Sequence, residues 1–321
     1  MFDYLKQKKH QIFPGMVLMV FLLLFSFPAN GDLYDFYVDA GSTKLWEDGS
    51  ENYPFKTITT ALDYVRSKGL EEKNILVKKG TYAESVELTN DVNLIGEDRY
   101  ETVINGEGQN RGIFFHSTKS LVKNLTVKKA SVNLKIDKKS KAKIEKCSIK
   151  DSKRNGIEVD HSSRSKKYKF TLKNSSVKNS GARGMYIFRR KLEIKGNKIS
   201  ENGEEGIDLH TNVRGTISNN EIKNNKESGI EMIMAGANVS IRENKISSNQ
   251  TQGVTIQVYD SRLGKVRLAN NDITNNKRYG VRYTKYNHRK MKMKFENFIA
   301  KCVKCRNNSF SGNSNGDYGY Q

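Results

Sequence analysis

Residues 203–212, GEEGIDLHTN, set an aspartate and a histidine two positions apart in a chain of 321 residues that holds only 5 His. In an extended segment, residues two apart share a face. Asp208 and His210 would then leave the chain side by side. An imidazole titrates near neutrality and can take or give a proton, and a neighbouring carboxylate orients it or holds it charged. The pair therefore suits proton transfer. The plainer reading is a pair of exposed polar residues without a task. Which other side chains the fold brings alongside decides between them.

The flanking sequence repeats. NKISENGEEGIDL (197–209), NEIKNNKESGIEM (220–232), NKISSNQTQGVTI (244–256) and NDITNNKRYGVRY (271–283) share the pattern N-x-I-x-x-N-x-x-x-G-[IV]-x-apolar. CSIKDSKRNGIEV (147–159) puts Cys for the first Asn, and NSSVKNSGARGMYI (174–187) carries one extra residue. A period of about 22 to 28 residues indicates a solenoid. Each apolar–polar–apolar triplet has period 2 and reads as a short strand, with no room for a helix between repeats. The expected fold is all-β, a single-stranded right-handed parallel β-helix. Asn and Gly suit its corners because both tolerate left-handed backbone. Stacked amides would form two ladders: Asn174, Asn197, Asn220, Asn244, Asn271, Asn308, and Asn179, Asn202, Asn225, Asn249, Asn276. TITTALDYVRSKG (57–69) reads as a short helix, with Ile58, Ala61, Leu62 and Val65 on one face, that caps the open end of the solenoid at about 57–68.

This register defines outward columns. In the strand after the repeat Gly, the second position reads Glu158, Tyr186, Asp208, Glu231, Thr255, Arg282. The fourth reads Asp160, Phe188, His210, Ile233, Gln257, Thr284, and the sixth Ser162, Arg190, Asn212, Ala235, Tyr259, Tyr286. Successive rungs lie about 4.8 Å apart. Carboxylates, aromatic rings, His and Arg gather here, while the remaining surface is Lys, Ser and Asn. Rings that stack on sugars and polar groups that orient hydroxyls and acids suit a sugar polymer. Glu158, Phe188, Glu231, Gln257, Tyr259 and Arg282 are the candidate substrate-binding residues. Asp208, His210, Tyr186 and Arg190 are the candidate catalytic ones.

Asp208 and Glu231 would be neighbours, and their spacing admits three readings. They could be a retaining-hydrolase pair, part of a Ca²⁺ site, or an exposed pair screened by lysines. With His210, Tyr186 and Arg190, the set also suits proton abstraction beside a uronate carboxylate. A cation neutralises the acid, a base takes the C5 proton, and a second group donates one. β-Elimination and C5-epimerisation share that first step.

FYVDAGSTKLWEDGSENYPFKTITTALDYV, followed by NILVKKGTYAESVEL, resembles the opening of secreted right-handed parallel β-helix proteins of the pectin-lyase-like superfamily. The resemblance implies the fold across nearly the whole mature chain, on which lyases, hydrolases, epimerases, adhesins and tailspikes are all built. GIDLH is similar to the Gly-Ile-Asp-Pro-His-Asp run of exported mannuronan C5-epimerases, with Leu209 in place of the Pro and Thr211 in place of the second Asp. It implies catalytic roles for Asp208 and His210 alone.

The N-terminus has a basic stretch, an apolar run from Met16 to Phe27 and small residues at Ala29 and Gly31. Residues 1–31 read as a signal peptide, with an uncleaved anchor as the alternative. The β-helix would span 32–315 and a tail 316–321. A secreted, periplasmic or cell-surface monomer without a stable membrane span follows. The formal charge of +21 attracts anionic partners. An acidic polysaccharide is the expected one, since no nucleic-acid module is recognisable. Lys-rich loops that only solubilise a sheet-rich surface are the plainer account of this charge. The three Cys give no metal pair, because CVKC (302–305) would point Cys302 outward and Val303 and Cys305 inward; free thiols are expected. The functional expectation is a lyase or C5-epimerase type enzyme before a hydrolase, with no certain cofactor and Ca²⁺ as the candidate. A non-catalytic β-helix of the cell surface is the alternative.

Overall fold

The computed structural model describes residues 34–162, 167–259, 262–285 and 294–320. The leader and Tyr286 lie outside the described residues. Every coil visits three parallel sheets in turn, an eleven-stranded first sheet and ten-stranded second and third sheets. In the coil of interest these strands are Lys191–Lys195, Lys198–Ser200 and Ile207–His210. Inward Ile, Val and Leu from all three sheets fill one continuous core, among them Ile194, Ile199, Ile207 and Leu209. Each such side chain stabilises the fold by about 1.5–3 kcal/mol, an upper figure because unfolded chains already bury some surface. The alternation read from the sequence is thus the in–out pattern of a solenoid rung.

Helix α1 (Ile58–Ser67) buries Ile58, Ala61, Leu62 and Val65, as the sequence predicts. Thr57 Oγ1 accepts from the Thr60 N–H at 3.0 Å. The Glu84 carboxylate accepts from the N–H groups of Ile58 and Thr59 at 3.0 and 2.8 Å, satisfying two otherwise unpaired donors of the first turn.

Both amide ladders are present, shifted by one residue at one end. Asn197, Asn220, Asn244 and Asn271 each pass an Nδ2 hydrogen bond to the Oδ1 of the next, ending at Asn308, at 2.9–3.0 Å. Each Oδ1 also accepts the backbone N–H of the preceding Asn. The second ladder runs Asn202, Asn225, Asn249, Asn276, Asn313. Asn174 and Asn179 do not belong to them. The extra residue in 174–187 puts Ser175 and Ser180 in those places, where their N–H groups donate to Asn197 and Asn202. Left-handed backbone falls one position before each ladder residue, as at Asn174, Asn219 and Asn270. The repeat Gly has another purpose than a left-handed turn. A Cβ on Gly206 would stand 2.7 Å from the Gly229 carbonyl of the next coil.

Several expectations fail near the C-terminus. A helix does fit between coils: α2 (Phe295–Cys302) buries Phe298, Ile299 and Cys302. Cys302 is therefore inside. Cys305 keeps the inward register of Leu268 yet is exposed, because it lies on the edge strand of the first sheet among the described residues. All three Cys are free. The expected tail is a strand as well: Gly316–Tyr320 pairs with Tyr279–Lys285 and extends the third sheet.

Candidate active site on the third sheet

The third sheet aligns Glu158, Tyr186, Asp208, Glu231, Thr255 and Arg282 across successive strands, in the order expected. Phe188 is aligned with His210. His210 Nε2 lies 3.3 Å from Asp208 Oδ2, the Tyr186 and His210 ring centres are 4.8 Å apart, and Phe188 and His210 are 5.6 Å apart. Two strands thus assemble a Tyr–His–Asp group flanked by an aromatic ring. His161 meets the far side of Phe188 edge-on at 5.8 Å.

The cation beside Asp208 is Arg183. Arg190, expected on this face, is wholly buried. Arg189 just before it has φ +44°, which breaks the strand alternation and turns the next side chain inward. The Arg190 guanidinium donates to the carbonyls of Ser140, Tyr168 and Asp137 and ties three coil corners together. Burial, only partly opposed by Asp137 and Asp160, pulls it down to about 10. Arg183 comes instead from the turn before the repeat Gly. Its Nε donates to Asp208 Oδ2 at 2.7 Å and lies 3.2 Å from Glu205 Oε2, and its NH1 lies 2.8 Å from Glu204 Oε2. Its guanidinium also sits 5.4 Å from the centre of the Tyr186 ring. Burial works against its charge, but Asp208, Glu205 and Glu204 together hold its pKa above the usual range.

Asp208 is only 3% exposed beneath these partners. Its contact with solvent runs through His210 and Tyr186, both half-buried. If His210 donates from Nε2 to Asp208, the lone pair resides on Nδ1, free to take a proton. Burial and the Asp208 charge raise the Tyr186 hydroxyl above its ordinary value. Glu231 is pushed up to about 7 by burial and by the charges of Asp208 and Glu227. Glu205 is shifted upward too, by burial, a hydrogen bond shared with Glu227 and the charges of Glu231 and Asp208. The buried Asp208 carboxylate is thus bonded to Arg183, while its neighbours Glu231 and Glu205 favour their protons.

This arrangement does not suit a cation between Asp208 and Glu231. The Asp208 Oδ2 atom is already engaged by the Arg183 Nε–H at 2.7 Å and lies 3.3 Å from His210 Nε2. No group of three or more His, Cys, Asp or Glu among the described residues is placed to hold a metal ion.

The remaining candidates divide. Glu158 is engaged by Lys135, which also bonds Asp160 at 2.7 Å, and by Asn155 at 3.2 Å. Gln257 bonds Glu231. Tyr259 is exposed beyond the strand end. Arg282 is half-buried, its Nε without a partner. Ile233 and Thr255 are buried. Strand alternation missed Arg183, Glu205 and Glu227 because they stand in the turn that precedes the repeat Gly. The residue before that Gly reads Asn155, Arg183, Glu205, Ser228 and Gln252, a column as regular as those of the strands.

Residues 133–300, more than half of the chain, match the family model described as "Right handed beta helix region". No curated protein matches the chain in sequence. The A-module of a mannuronan C-5 epimerase of Azotobacter vinelandii superposes with a TM-score of 0.52 at 17% identity, covering 89% of this chain and 97% of its own. A pectate lyase superposes at 0.59 and 14% identity, covering 88% of this chain and 78% of its own. The Dettilon tailspike protein superposes at 0.53 and 11%, with 87% and 57% covered. These likenesses concern the fold alone, a right-handed parallel β-helix. On the family match the chain belongs to the right-handed β-helix region family.

Proposed function

We propose that the third sheet abstracts the C5 proton of a uronate residue in an acidic polysaccharide, as a lyase or C5-epimerase. The observation that carries this reading is the half-buried His210–Tyr186 pair above a buried, Arg183-bound Asp208. His210 serves as the base through Nδ1, and Tyr186 as the partner that donates a proton or takes the opposite face. Asp208 acts through His210 and is a positioning residue. Glu231 in its neutral form and Gln257 supply hydrogen bonds to the uronate carboxylate, lowering the cost of negative charge at C5. Phe188 offers a ring for a sugar face. The hydrolase reading loses support, because an aspartate this buried and held by Arg183 has no approach to an anomeric carbon. The epimerase and the lyase among the structures of like fold act on mannuronan and pectate by their names, which agrees with this class of substrate. The leader predicts an exported protein.

A second reading is a polymer-binding β-helix without catalysis, favoured by the deep burial of Asp208. Incubation with alginate and pectate, followed by ultraviolet absorbance of unsaturated uronates and by C5 proton exchange, separates the two. Activity with either polymer that His210→Asn removes supports the enzyme. Binding without either signal, across pH, supports the binder.

A further inference from the structure

The first sheet carries a different surface. Its outward columns run Lys169, Lys191, Arg214, Asn238, Lys265 along one edge and Glu193, Thr216, Ser240, Arg267 along the middle. The lysines of the earlier coil are already answered. Glu193 sits between Lys169 and Lys173, and these two bonds hold its carboxyl down to about 2. Beyond it the pattern changes. The middle column shrinks to Thr216 and Ser240, leaving a trough of about 460 Å³ between Lys191, Arg214 and Asn238 on one side and Arg267 on the other. No acidic residue lines it, and Lys191, Arg214 and Arg267 form no ion pair among the described residues.

The floor is fixed by Gly215, at φ +140°, whose Cβ if present would stand 1.9 Å from the Leu192 carbonyl. Any side chain there would push the two strands apart, so the depression is part of the backbone. Lys191 and Arg214 stand on adjacent rungs, about 4.8 Å apart, and Arg267 stands two rungs beyond Arg214 in the middle column, so three cations without ion-pair partners among the described residues follow the axis of the solenoid. A linear polymer with one carboxylate on each sugar matches such a row in charge and direction. The hydroxyl and amide groups of Thr216, Ser240 and Asn238 complement sugar hydroxyls. No aromatic side chain lines the trough, so the stacking that single-stranded nucleic acids need is missing.

We propose that this trough is a second binding surface for an acidic polysaccharide chain, on a different sheet from the Asp208–His210 group. It shares the substrate class of the proposed function but needs no catalysis. It would hold the protein on the polymer while the third sheet engages another segment, raising the effective concentration of sites.

The test is binding of the full chain to immobilised polyuronate, alginate and polygalacturonate separately, with neutral glucan and duplex DNA as controls. The variants are Arg214→Ser with Arg267→Ser, and a control of equal charge change on the second sheet, Lys198→Ser with Lys245→Ser, both exposed there, each verified as folded by its thermal melt. The trough variant is expected to lose about tenfold or more in affinity for polyuronate, while the second-sheet variant loses less than about twofold. Lys191→Gln provides a milder variant should the trough variant not fold, with a smaller loss in the same direction. A trough variant, or Lys191→Gln in its place, that binds polyuronate within twofold of wild type overturns the proposal. So does duplex DNA bound as tightly as polyuronate and lost equally on substitution. A wild type that binds through this trough but turns over neither polymer leaves this inference standing and removes the catalytic reading.

Discussion

His210 Nε2 stands 3.3 Å from an Asp208 carboxylate that solvent scarcely reaches, and the same Oδ2 atom accepts the Arg183 Nε–H at 2.7 Å. A single buried oxygen thus orients the imidazole and is itself held in place. Under the proposed function, Asp208 is a support for His210, and the proton transfer falls to the half-buried ring.

Asp208→Asn should therefore lower kcat by about 10²–10³ with little change in KM, since the imidazole loses its orientation and tautomer. It also leaves Arg183 without its nearest carboxylate. Removing one partner of a buried pair costs about 3–5 kcal/mol, and the partial exposure of Arg183 reduces this to roughly 1–3. Steady-state kinetics and urea denaturation read the two effects separately. A KM effect with kcat unchanged would assign Asp208 to binding instead.

Glu231 predicts a pH dependence of stability. Its folded pKa, about 7, lies above the ordinary glutamate value of 4.5, so the folded state binds the extra proton. The contribution of this group is full below pH 4.5 and is lost as pH rises from about 4.5 to about 7. Glu231→Gln should remove that slope, worth on the order of 1–2 kcal/mol after allowance for solvent. Denaturation midpoints of the two proteins at pH 5 and pH 8 check this. A wild type whose advantage grows with pH would contradict the assignment.

The fold was largely legible because strand alternation and the Asn spacing both state the period. The order Tyr186, Asp208, Glu231 in adjacent strands followed from that alone. The errors arose where alternation stops. Arg190 follows the positive-φ Arg189 and turns inward, while Arg183 and Glu205 stand in a turn that no strand pattern describes. The slip of the ladder from Asn174 to Ser175 was present in the count: four residues separate Asn179 from Gly184, but three separate Asn202 from Gly206. Helix α2 was hidden because its apolar residues follow an insertion that belongs to no repeat.

Arg190 separates support from catalysis. Arg190→Met leaves three corner carbonyls without their donor and should destabilise the fold by about 2–4 kcal/mol. Activity per folded molecule should be unchanged at low temperature. A loss of kcat in fully folded variant would return Arg190 to the catalytic set.

The ladder makes a sharp comparison. Asn220→Ala unpairs the Asn197 N–H and removes the Nδ2 bonds to Asn244 Oδ1 and the Ile194 carbonyl, for about 2–4 kcal/mol. Asn174→Gly, at a left-handed corner with φ +50°, should cost less than about 0.5 kcal/mol. Guanidinium denaturation of both variants decides whether Ser175 has taken over the place in the ladder.

Thiol chemistry reports on the C-terminal coil. Burial pushes the Cys147 thiol up to about 11 and Cys302 is buried, so an aromatic disulfide reagent should titrate one thiol rapidly in the native protein, Cys305. Cys305→Ser should abolish that fast phase. Two fast thiols would mean that α2 does not cover Cys302.

The central claim is removal of a uronate C5 proton by His210. Alginate and pectate incubated with the protein in D₂O, and read by NMR at C5 and by unsaturated-uronate absorbance, test it most directly. The wild type should place deuterium at C5 or generate unsaturated ends with one of the two polymers, and His210→Asn should do neither. No exchange and no elimination by folded, polymer-binding wild type between pH 5 and 9 would contradict it.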